Sequence, residues 1–330
     1  MTNTETLHPQ TSAIAIRRAA RPWWLLGGQL GLVVVLVVLV IVTTIGSDAF
    51  LTANNLLNVL RQVSVIAVIA AGLTVLMIAG GIDFSMGSNA VVTMALVAQL
   101  ISSGTDATLA VILGVVAASL VGLVNGLVVT LTSVAPFVAT LATATLLDGL
   151  ALFVLNGMSV SSGQALYTFG NGSIGGIPYL LLTAVAVCAA LGLALRYTAF
   201  GRNAFALGGN EEAARLSGIA VGRTKILLYT LMGSLAGLAG VMLLARLNAA
   251  SPGVTGLTME LQAVAAVVIG GTALMGGKGT MIGTGLGVLL LGIVANALNL
   301  LGVSSYLQQM AVGLVLLVAA IANGWQRFRR

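Results

Sequence analysis

An acidic residue within an apolar stretch is the first feature of the chain that could do chemistry. Asp83 lies in MIAGGIDFSMGSNAVV, residues 77–92, two positions after a pair of glycines and between long apolar runs. A carboxylate in such a setting either caps the following helix or lines a polar passage. The structural interpretation is that Asp83 or Ser85 caps a helix that starts where the glycines break the preceding one. The functional interpretation is that Asp83 lines the cytoplasmic exit or a gate.

The chain has little material for catalysis. It carries one histidine, His8, in the polar N-terminal segment, and one cysteine, Cys188, inside an apolar run. These counts exclude a Ser-His-Asp triad, an HExxH zinc site and a disulfide framework. Only two further acids, Asp148 and Glu260, fall near apolar spans; the others are Glu5, Asp48, Asp106, Glu211 and Glu212. We therefore expect no enzymatic activity, no metal and no cofactor.

A glycine-rich stretch, GGTALMGGKGT at residues 270–280, invites comparison with a phosphate-binding loop. Thr272 stands where that motif requires its first glycine, and Gly279 stands where it requires the Ser or Thr that holds magnesium. We interpret the stretch as a tight turn between helices. Any ATP hydrolysis that drives this chain is expected in a separate subunit.

The composition indicates that the chain folds in a lipid bilayer. Of its 330 residues 58% are hydrophobic and 7% are charged, whereas soluble domains carry about 25% charged residues. Period-two alternation is absent, so a helical bundle is expected rather than an outer-membrane barrel. The predicted fold is an all-α polytopic membrane protein of about ten transmembrane helices, at residues 25–45, 62–80, 88–103, 107–131, 135–155, 179–196, 226–245, 260–275, 280–301 and 305–323.

Small residues recur at the spacing that brings helix backbones close together in lipid. Three such glycine pairs are separated by four positions, namely Gly122/Gly126, Gly233/Gly237 and Gly283/Gly287. We expect these pairs to lie at helix–helix contacts within the bundle.

The basic residues predict the orientation. If the N-terminus is cytoplasmic, all Lys and Arg except Arg61 and Arg246 fall on the cytoplasmic side, as the positive-inside rule requires. The net charge of +6 therefore marks topology rather than a nucleic-acid surface. We expect a cytoplasmic tail over residues 1–24, a transmembrane domain over residues 25–323 and a basic cytoplasmic tail over residues 324–330. The first apolar stretch is expected to be a retained helix rather than a cleaved signal.

The most charged segment is the predicted inside loop over residues 197–225. It contains the signals of a short helix, which are an N-cap, two acids in the first turn, a base near the end and a closing glycine, at Asn210, Glu211, Glu212, Arg215 and Gly218. A helix of about two turns is not stable alone in water. It is therefore expected to pack against the loops of its own domain or to dock into a groove of a partner.

Two short stretches form a faint internal repeat. GLTVLMIAGG at residues 72–81 and GGTALMGG at residues 270–277 share Gly-x-Thr-x-Leu-Met and then a double glycine, with a two-residue difference in register. If the two halves correspond, Lys278 occupies nearly the same place as Asp83. We hypothesise that these two residues form an ion pair that holds one access state.

Several longer motifs resemble one transporter family. EEAARLSGIAVGRTKI, residues 211–226, is similar to the coupling loop of ABC-importer permeases, in which Glu-Ala-Ala is followed after three residues by Gly, here Glu212, Ala213, Ala214 and Gly218. The Leu-Pro that often closes that motif is missing after Ile226. Together with GGIDFSMGS, ALGGNEEAARLSGI, VVIGGTALMGGKGT and NALNLLGVSSYLQQMAVGLVLL, this loop resembles the monosaccharide permeases of the ribose, xylose, arabinose and galactose type.

The resemblance implies the membrane subunit of an ATP-driven, binding-protein-dependent importer of a monosaccharide. It implies a dimer with ten helices per subunit and a fold like that of type II ABC importers, in the bacterial inner membrane. The implied partners are a cytoplasmic sugar-type ABC ATPase, an extracytoplasmic sugar-binding protein and a second permease subunit. The coupling helix that touches the ATPase would then be residues 210–218, with Asn210, Glu211, Glu212, Ala213, Ala214, Arg215 and Gly218.

Weakly polar side chains inside the apolar spans are the candidates for lining the sugar pathway, namely Asn89, Asn125, Thr143 and Asn296. Helix–helix hydrogen bonds account for these residues equally well. The alternative function is a stand-alone secondary transporter or facilitator of a small polar solute. Such a transporter usually places several ionisable groups within its spans. Here Asp83 and Asp148 are the only plausible ones.

Overall fold

The computed structural model describes residues 27–132, 134–304, 307–308, 310, 313–314 and 317, which are predominantly helical. Helices with described bounds are, in chain order, α1 Gly27–Gly46, α2 Ala53–Ile78, α3 Met86–Ser102, α4 Ala107–Leu131, α5 Pro136–Leu155, α6 Tyr167–Asn171, α7 Tyr179–Tyr197, α8 Ala199–Gly209, α9 Glu211–Leu216, α10 Val221–Leu247, α11 Gly256–Ile269 and α12 Met281–Leu300. Short strands are β1 Val160–Ser161, β2 Ser173–Ile174, β3 Ile177–Pro178 and β4 Ala249–Ala250.

The predicted polytopic membrane architecture is confirmed in its main feature. In the described part of the chain, six helices are long and apolar enough to cross a membrane, namely α2, α4, α5, α7, α10 and α12. The described parts of α1, α3 and α11 are shorter apolar helices. The tenth predicted stretch, residues 305–323, lies mostly outside the described residues, and the predicted tails over residues 1–24 and 324–330 lie wholly outside them.

Two helix boundaries differ from the prediction for local reasons. Helix α2 begins at Ala53 rather than near residue 62, because the Thr52 hydroxyl accepts a hydrogen bond from the backbone N of Asn55 and caps a turn of polar residues. Helix α11 ends at Ile269 rather than near residue 275, because the glycine-rich turn follows directly.

The centre of the bundle is formed by α2, α3, α10 and α11, whose side chains are mostly buried. Helix α10 packs along α4, α3 and α2. The surrounding helices α1, α4, α5 and α7 expose many large apolar side chains, such as Leu146 and Phe153. Such an apolar exterior suits lipid as the surrounding solvent.

The predicted close packing at glycine pairs is confirmed. A Cβ atom on Gly122 would overlap the Tyr229 carbonyl oxygen and would lie 2.9 Å from the Gly233 Cα atom. A Cβ atom on Gly237 would lie 2.7 Å from the Ala118 Cβ atom. Helices α4 and α10 therefore meet backbone to backbone, as expected of small residues in lipid.

The two ends of the bundle have different structures. At one end, loops 156–178 and 248–255 carry the strands, and β1 pairs antiparallel with β4 while β2 pairs with β3. These short ladders are the exception to the all-α prediction. At the other end, α2 and α7 finish, α10 begins, and α8 and α9 pack between them. We call these the strand end and the α9 end.

Candidate coupling and translocation site

Helix α9 forms where the sequence predicts it, with the predicted caps. Asn210 Oδ1 accepts a hydrogen bond from the backbone N of Ala213 at 2.9 Å, so the N-cap is confirmed. Gly218 has a φ of +83°, and the next backbone N, that of Ile219, donates to the carbonyl of Ala214 at 3.1 Å. A left-handed glycine at this place ends the helix and satisfies its last carbonyls.

Charged contacts fix α9 against the start of α10. The Lys225 ammonium lies 2.8 Å from both carboxylate oxygens of Glu211. Arg215 makes longer contacts, at 3.5 Å with Glu211 and at 3.9 Å with Glu212. These pairs are partly exposed, so each contributes at most about 1 kcal/mol. Because both Lys225 and Arg215 contact Glu211, these ion pairs mainly fix the position of α9.

The outward face of α9 remains open. Ala214 is buried against the domain, whereas Glu212, Ala213 and Arg215 are exposed. Leu216 is 82% exposed, although it lies on a charged helix rather than on a lipid-facing one. One face of α9 therefore packs on its own domain, as the first sequence interpretation expects. Docking of the other face into a partner stays a prediction.

The end of α8 contacts both copies of the internal repeat. A Cβ atom on Gly208 would overlap the Ile78 carbonyl oxygen and would lie 2.6 Å from the Gly277 backbone N. A Cβ atom on Gly276 would lie 2.8 Å from the Gly208 Cα atom and 2.9 Å from the Gly80 backbone N. The backbone N of Gly277 also donates to the Ile78 carbonyl at 2.8 Å. We call these five residues the glycine junction.

The glycine junction borders a cavity of about 410 Å³ at the α9 end. Its walls come from the end of α2, the end of α8 and the start of α10, and include Gly81, Asn210, Glu211, Lys225 and Tyr229. A space of this size with both apolar and charged walls can hold a small polar solute.

Asp83 does not line this cavity, because its side chain is buried with 2% exposure. Its Oδ1 atom accepts hydrogen bonds from the backbone N and the hydroxyl of Ser85, at 2.7 and 2.6 Å. Ser85 occupies the N-cap position of α3, but its hydroxyl makes no capping bond to that helix. The hypothesis that Ser85 caps α3 is therefore wrong. Asp83 instead holds the turn that leads into α3.

The hypothesis of an ion pair between Asp83 and Lys278 is also wrong for this structure. Lys278 is exposed on the turn between α11 and α12, whereas Asp83 is buried and engaged by Ser85. Within the described part of the chain no ion pair joins the two side chains; those that form involve Glu211 and Glu212. The sequence repeat aligns the two positions, but the turn at residues 270–280 directs its lysine outward.

Asp83 is one end of a chain of hydrogen bonds across three elements. The Ser85 hydroxyl donates to Asp83, and the Asn125 amide on α4 donates to the Ser85 oxygen at 2.8 Å. The Thr143 hydroxyl on α5 donates to the Asn125 carbonyl oxygen at 2.7 Å. Four residues that the sequence singled out separately therefore form one network. Every member has a partner, as a polar group buried among apolar helices requires.

The break at residues 79–85 is also held by its neighbours. The Tyr229 hydroxyl on α10 donates to the Ile82 carbonyl at 3.0 Å, and the backbone N of Phe84 donates to the Thr140 hydroxyl on α5 at 3.1 Å. The Phe84 ring packs edge-on against Phe137, with 5.3 Å between ring centroids. These contacts position the start of α3 against α5 and α10.

The other two candidate pathway residues also make helix–helix hydrogen bonds. The Asn89 amide on α3 donates to the Ala118 carbonyl on α4 at 3.1 Å. Asn296 on α12 and Asn55 on α2 exchange two amide hydrogen bonds, at 2.8 and 3.0 Å. These contacts agree with the packing interpretation of the polar residues. A role for Asn89, Asn125, Thr143 or Asn296 in lining the pathway stays a prediction.

Sequence reasoning gave no role to Glu260, which the structure places at the start of α3. Its Oε1 atom accepts hydrogen bonds from the backbone N and the hydroxyl of Ser88, each at 3.1 Å, and its side chain is 1% exposed. Helix α11 approaches so closely because Gly256 meets Gly87 and Ser88. Glu260 thus binds an N–H in the first turn of α3 that has no partner within that helix. The sequence signal that could have indicated a role for Glu260 is its place as the single acid within the apolar stretch GLTMELQAVAAVVI.

Comparison with known proteins places this arrangement in a family. The family model described as "Branched-chain amino acid transport system / permease component" matches residues 55–320, which is most of the chain. The chain belongs to this permease family. The match covers the bundle from α2 onward, including α9 and the glycine junction.

The permease is also similar to curated sugar permeases. It is 44% identical to "Ribose import permease protein RbsC" of Bacillus subtilis (strain 168), over 89% of the permease and 92% of that protein. It is 41% identical to the Escherichia coli (strain K12) protein of the same name, over 95% of the permease and 98% of that protein. It is 35% identical to "L-arabinose ABC transporter permease protein AraH" of Azospirillum brasilense, over 97% of the permease and 94% of that protein. No solved structure matches the chain.

These similarities confirm the resemblance to monosaccharide importer permeases that the motifs predict. They extend over 89–97% of the chain rather than over a single motif. The permease is therefore a multi-pass membrane protein of a transport family.

Proposed function

We propose that the permease is the membrane-spanning subunit of an ATP-driven, binding-protein-dependent ABC importer of a monosaccharide, with ribose as the first candidate. The family description names branched-chain amino acids, whereas three relatives that are 44%, 41% and 35% identical carry names of ribose or arabinose permeases. Relatives that match almost end to end support a sugar more strongly than a description shared by a broad family.

The α9 end faces the cytoplasm in this proposal. The charged loop over residues 197–225 lies at that end, and the basic residues counted in the sequence fall on the same side. The permease then lies in the bacterial inner membrane with both termini cytoplasmic. Its transmembrane domain, over residues 25–323, has ten helices and a fold like that of type II ABC importers. The tails over residues 1–24 and 324–330 remain outside the bilayer.

The observation that carries the proposal is the linkage between α9 and the bundle. Leu216 on the open face is the apolar anchor for a cytoplasmic sugar-type ABC ATPase, with the exposed Glu212 and Arg215 beside it. The Glu211–Lys225 contact joins α9 to α10, and Gly208 at the end of α8 joins the same region to α2 and to the α11–α12 turn.

A displacement of α9 by the ATPase therefore reaches three parts of the bundle. Through Lys225 it moves the start of α10, and through the glycine junction it moves the ends of α2 and α11. These elements wall the α9-end cavity, which we assign as the cytoplasmic exit of the sugar pathway. Packed interfaces switch between discrete arrangements rather than deforming continuously, so a small shift at α9 can open or close this exit.

The remaining partners follow from the same assignment. An extracytoplasmic sugar-binding protein delivers the sugar at the strand end, and a second copy of the permease completes the translocation unit. The permease itself contributes no chemistry to ATP hydrolysis. Its part is to convert the movement of the ATPase into alternating access.

Reconstitution tests the proposal against the alternative of a stand-alone transporter. The permease is placed in proteoliposomes with its ATPase and binding protein, and uptake of radiolabelled ribose is measured with ATP inside the vesicles. We expect uptake that requires ATP and both partners. Uptake that a proton gradient drives in vesicles holding the permease alone would establish the secondary transporter instead.

A further inference from the structure

A second cavity, of about 200 Å³, lies at the strand end between α2, α10 and α11. Five side chains that can form hydrogen bonds line it, namely Gln62, Arg246, Thr255, Thr258 and Gln262. Apolar side chains, among them Val65 and Met259, complete the walls. We call this space the strand-end cavity.

Arg246 lies in the last turn of α10 and lines the strand-end cavity. It is one of two basic residues that depart from the positive-inside distribution, and the other, Arg61, donates to the Asn171 carbonyl at 2.7 Å. Within the described part of the chain, Arg246 makes no hydrogen bond and no ion pair, although it is half-buried at the end of α10. A half-buried guanidinium with no partner among the described residues can donate hydrogen bonds to a ligand in the cavity.

Two amides face the same cavity from different helices. Gln62 lies on α2 and Gln262 lies on α11, and neither side chain has a hydrogen-bond partner among the residues that the structure describes. An amide offers both donors and an acceptor, and the guanidinium of Arg246 offers only donors. Together these groups match vicinal hydroxyls, each of which donates one hydrogen bond and accepts one or two.

The geometry points to a transient binding site for a neutral monosaccharide in the strand-end cavity, with Gln62, Gln262 and Arg246 binding its hydroxyls. The cavity is smaller than the roughly 300–1,000 Å³ of sites for drug-sized ligands, which suits a single sugar ring. Among its described lining residues there is no carboxylate, so it is not a cation site. Val65 and Met259 offer apolar contact to the C–H faces of the ring. This inference rests on the proposed sugar-import function.

The site is mechanically connected to the cytoplasmic end. Helix α2 carries Gln62 and ends at Ile78, and α11 carries Gln262 and ends just before the turn that contains Gly277. The Gly277–Ile78 hydrogen bond joins these two ends at the glycine junction. A movement of the junction therefore changes the separation of the two amides, which releases the sugar as the cytoplasmic exit opens.

Transport efficiency tests the site. In proteoliposomes with the ATPase and the ribose-loaded binding protein, the ratio of ribose delivered to ATP hydrolysed is measured for Gln62→Leu, Gln262→Leu and a matched control, Gln99→Leu. Gln99 is exposed on α3 outside the cavity. Loss of one hydrogen bond should lower the ratio about fivefold to tenfold for each cavity variant. The control should keep the ratio of the unsubstituted protein.

A second measurement reports occupancy even if a leucine variant folds poorly. Thr258→Cys is placed in a Cys188→Ala background, and its rate of alkylation by a maleimide is compared between complexes with ribose-loaded and with ribose-free binding protein. Ribose should slow the reaction about threefold or more, as expected for a site that is mostly occupied, and should not slow it at Gln99→Cys. Unchanged ratios or the absence of protection would overturn the site alone. If the unsubstituted complex takes up no ribose with ATP, the proposed function fails as well.

Discussion

The glycine junction offers the sharpest mutational test of how α9 is connected to the bundle. Gly208→Ala adds a methyl group where the Ile78 carbonyl oxygen already lies and where the Gly277 backbone N would be 2.6 Å away. Both neighbours are backbone atoms, so they cannot move aside as a flexible side chain could. The substitution must therefore separate α8 from α2 and from the α11–α12 turn.

The expected size follows from two contributions. Overpacking of a tight contact costs about 1–3 kcal/mol, and the separation weakens the 2.8 Å hydrogen bond between Gly277 and Ile78, which contributes about 1 kcal/mol. A total of about 2–4 kcal/mol shifts the equilibrium between the joined and the separated junction by roughly 30-fold to 1,000-fold.

The assay compares Gly208→Ala with its neighbour Gly209→Ala. No atom lies within 4 Å of a Cβ built on Gly209, and alanine favours a helix over glycine by up to about 1 kcal/mol. We expect Gly208→Ala to lower ribose uptake per ATP at least about tenfold while the ATPase still binds. Gly209→Ala adds a methyl group to the wall of the same cavity without a clash, so it should lower uptake far less. Equal uptake by the two variants would refute the reasoning.

Three further predictions concern side chains around the same region. Glu260→Ala leaves buried donors at the start of α3 unpaired and should lower the free energy of unfolding by about 1–3 kcal/mol. Glu260→Gln still accepts hydrogen bonds and should lower it less. Equal losses of stability in thermal unfolding would contradict this prediction. Glu211→Lys and Lys225→Glu should each reduce ribose uptake per ATP, and the double variant should regain about half or more of the lost uptake. Additive losses in the double variant would show that the pair does not act together. Asp83→Lys combined with Lys278→Asp should not restore uptake lost in the single variants, since the two residues are not paired; recovery of uptake would support the ion-pair gate.

Local signals allowed most helices to be predicted from sequence. Apolar length and short polar breaks located the spans, and α9 could be placed to within a residue or two because Asn210 and Gly218 are strong cap signals. The glycines before Asp83 indicated a helix break there, and α2 does end before them. These features depend on residues that are near one another in the chain, so single-sequence reasoning reaches them.

Long-range contacts could not be predicted in this way. The partner of Glu260 is Ser88, 172 positions away, and the network from Asp83 to Thr143 joins three elements whose packing no local pattern specifies. The repeat suggested that two glycine motifs are related. It did not show that they meet at Gly208, because that contact depends on how α8 folds back onto the bundle.

The central claim is that the driving force enters through α9. Uptake of ribose per ATP hydrolysed, measured for Leu216→Asp and Leu216→Met in the reconstituted complex, tests it most directly. The 82% exposed side chain makes no contact that folding requires, so both variants should fold. The account predicts that Leu216→Asp abolishes ATP-driven uptake and that Leu216→Met retains it. Full uptake by Leu216→Asp would contradict the account.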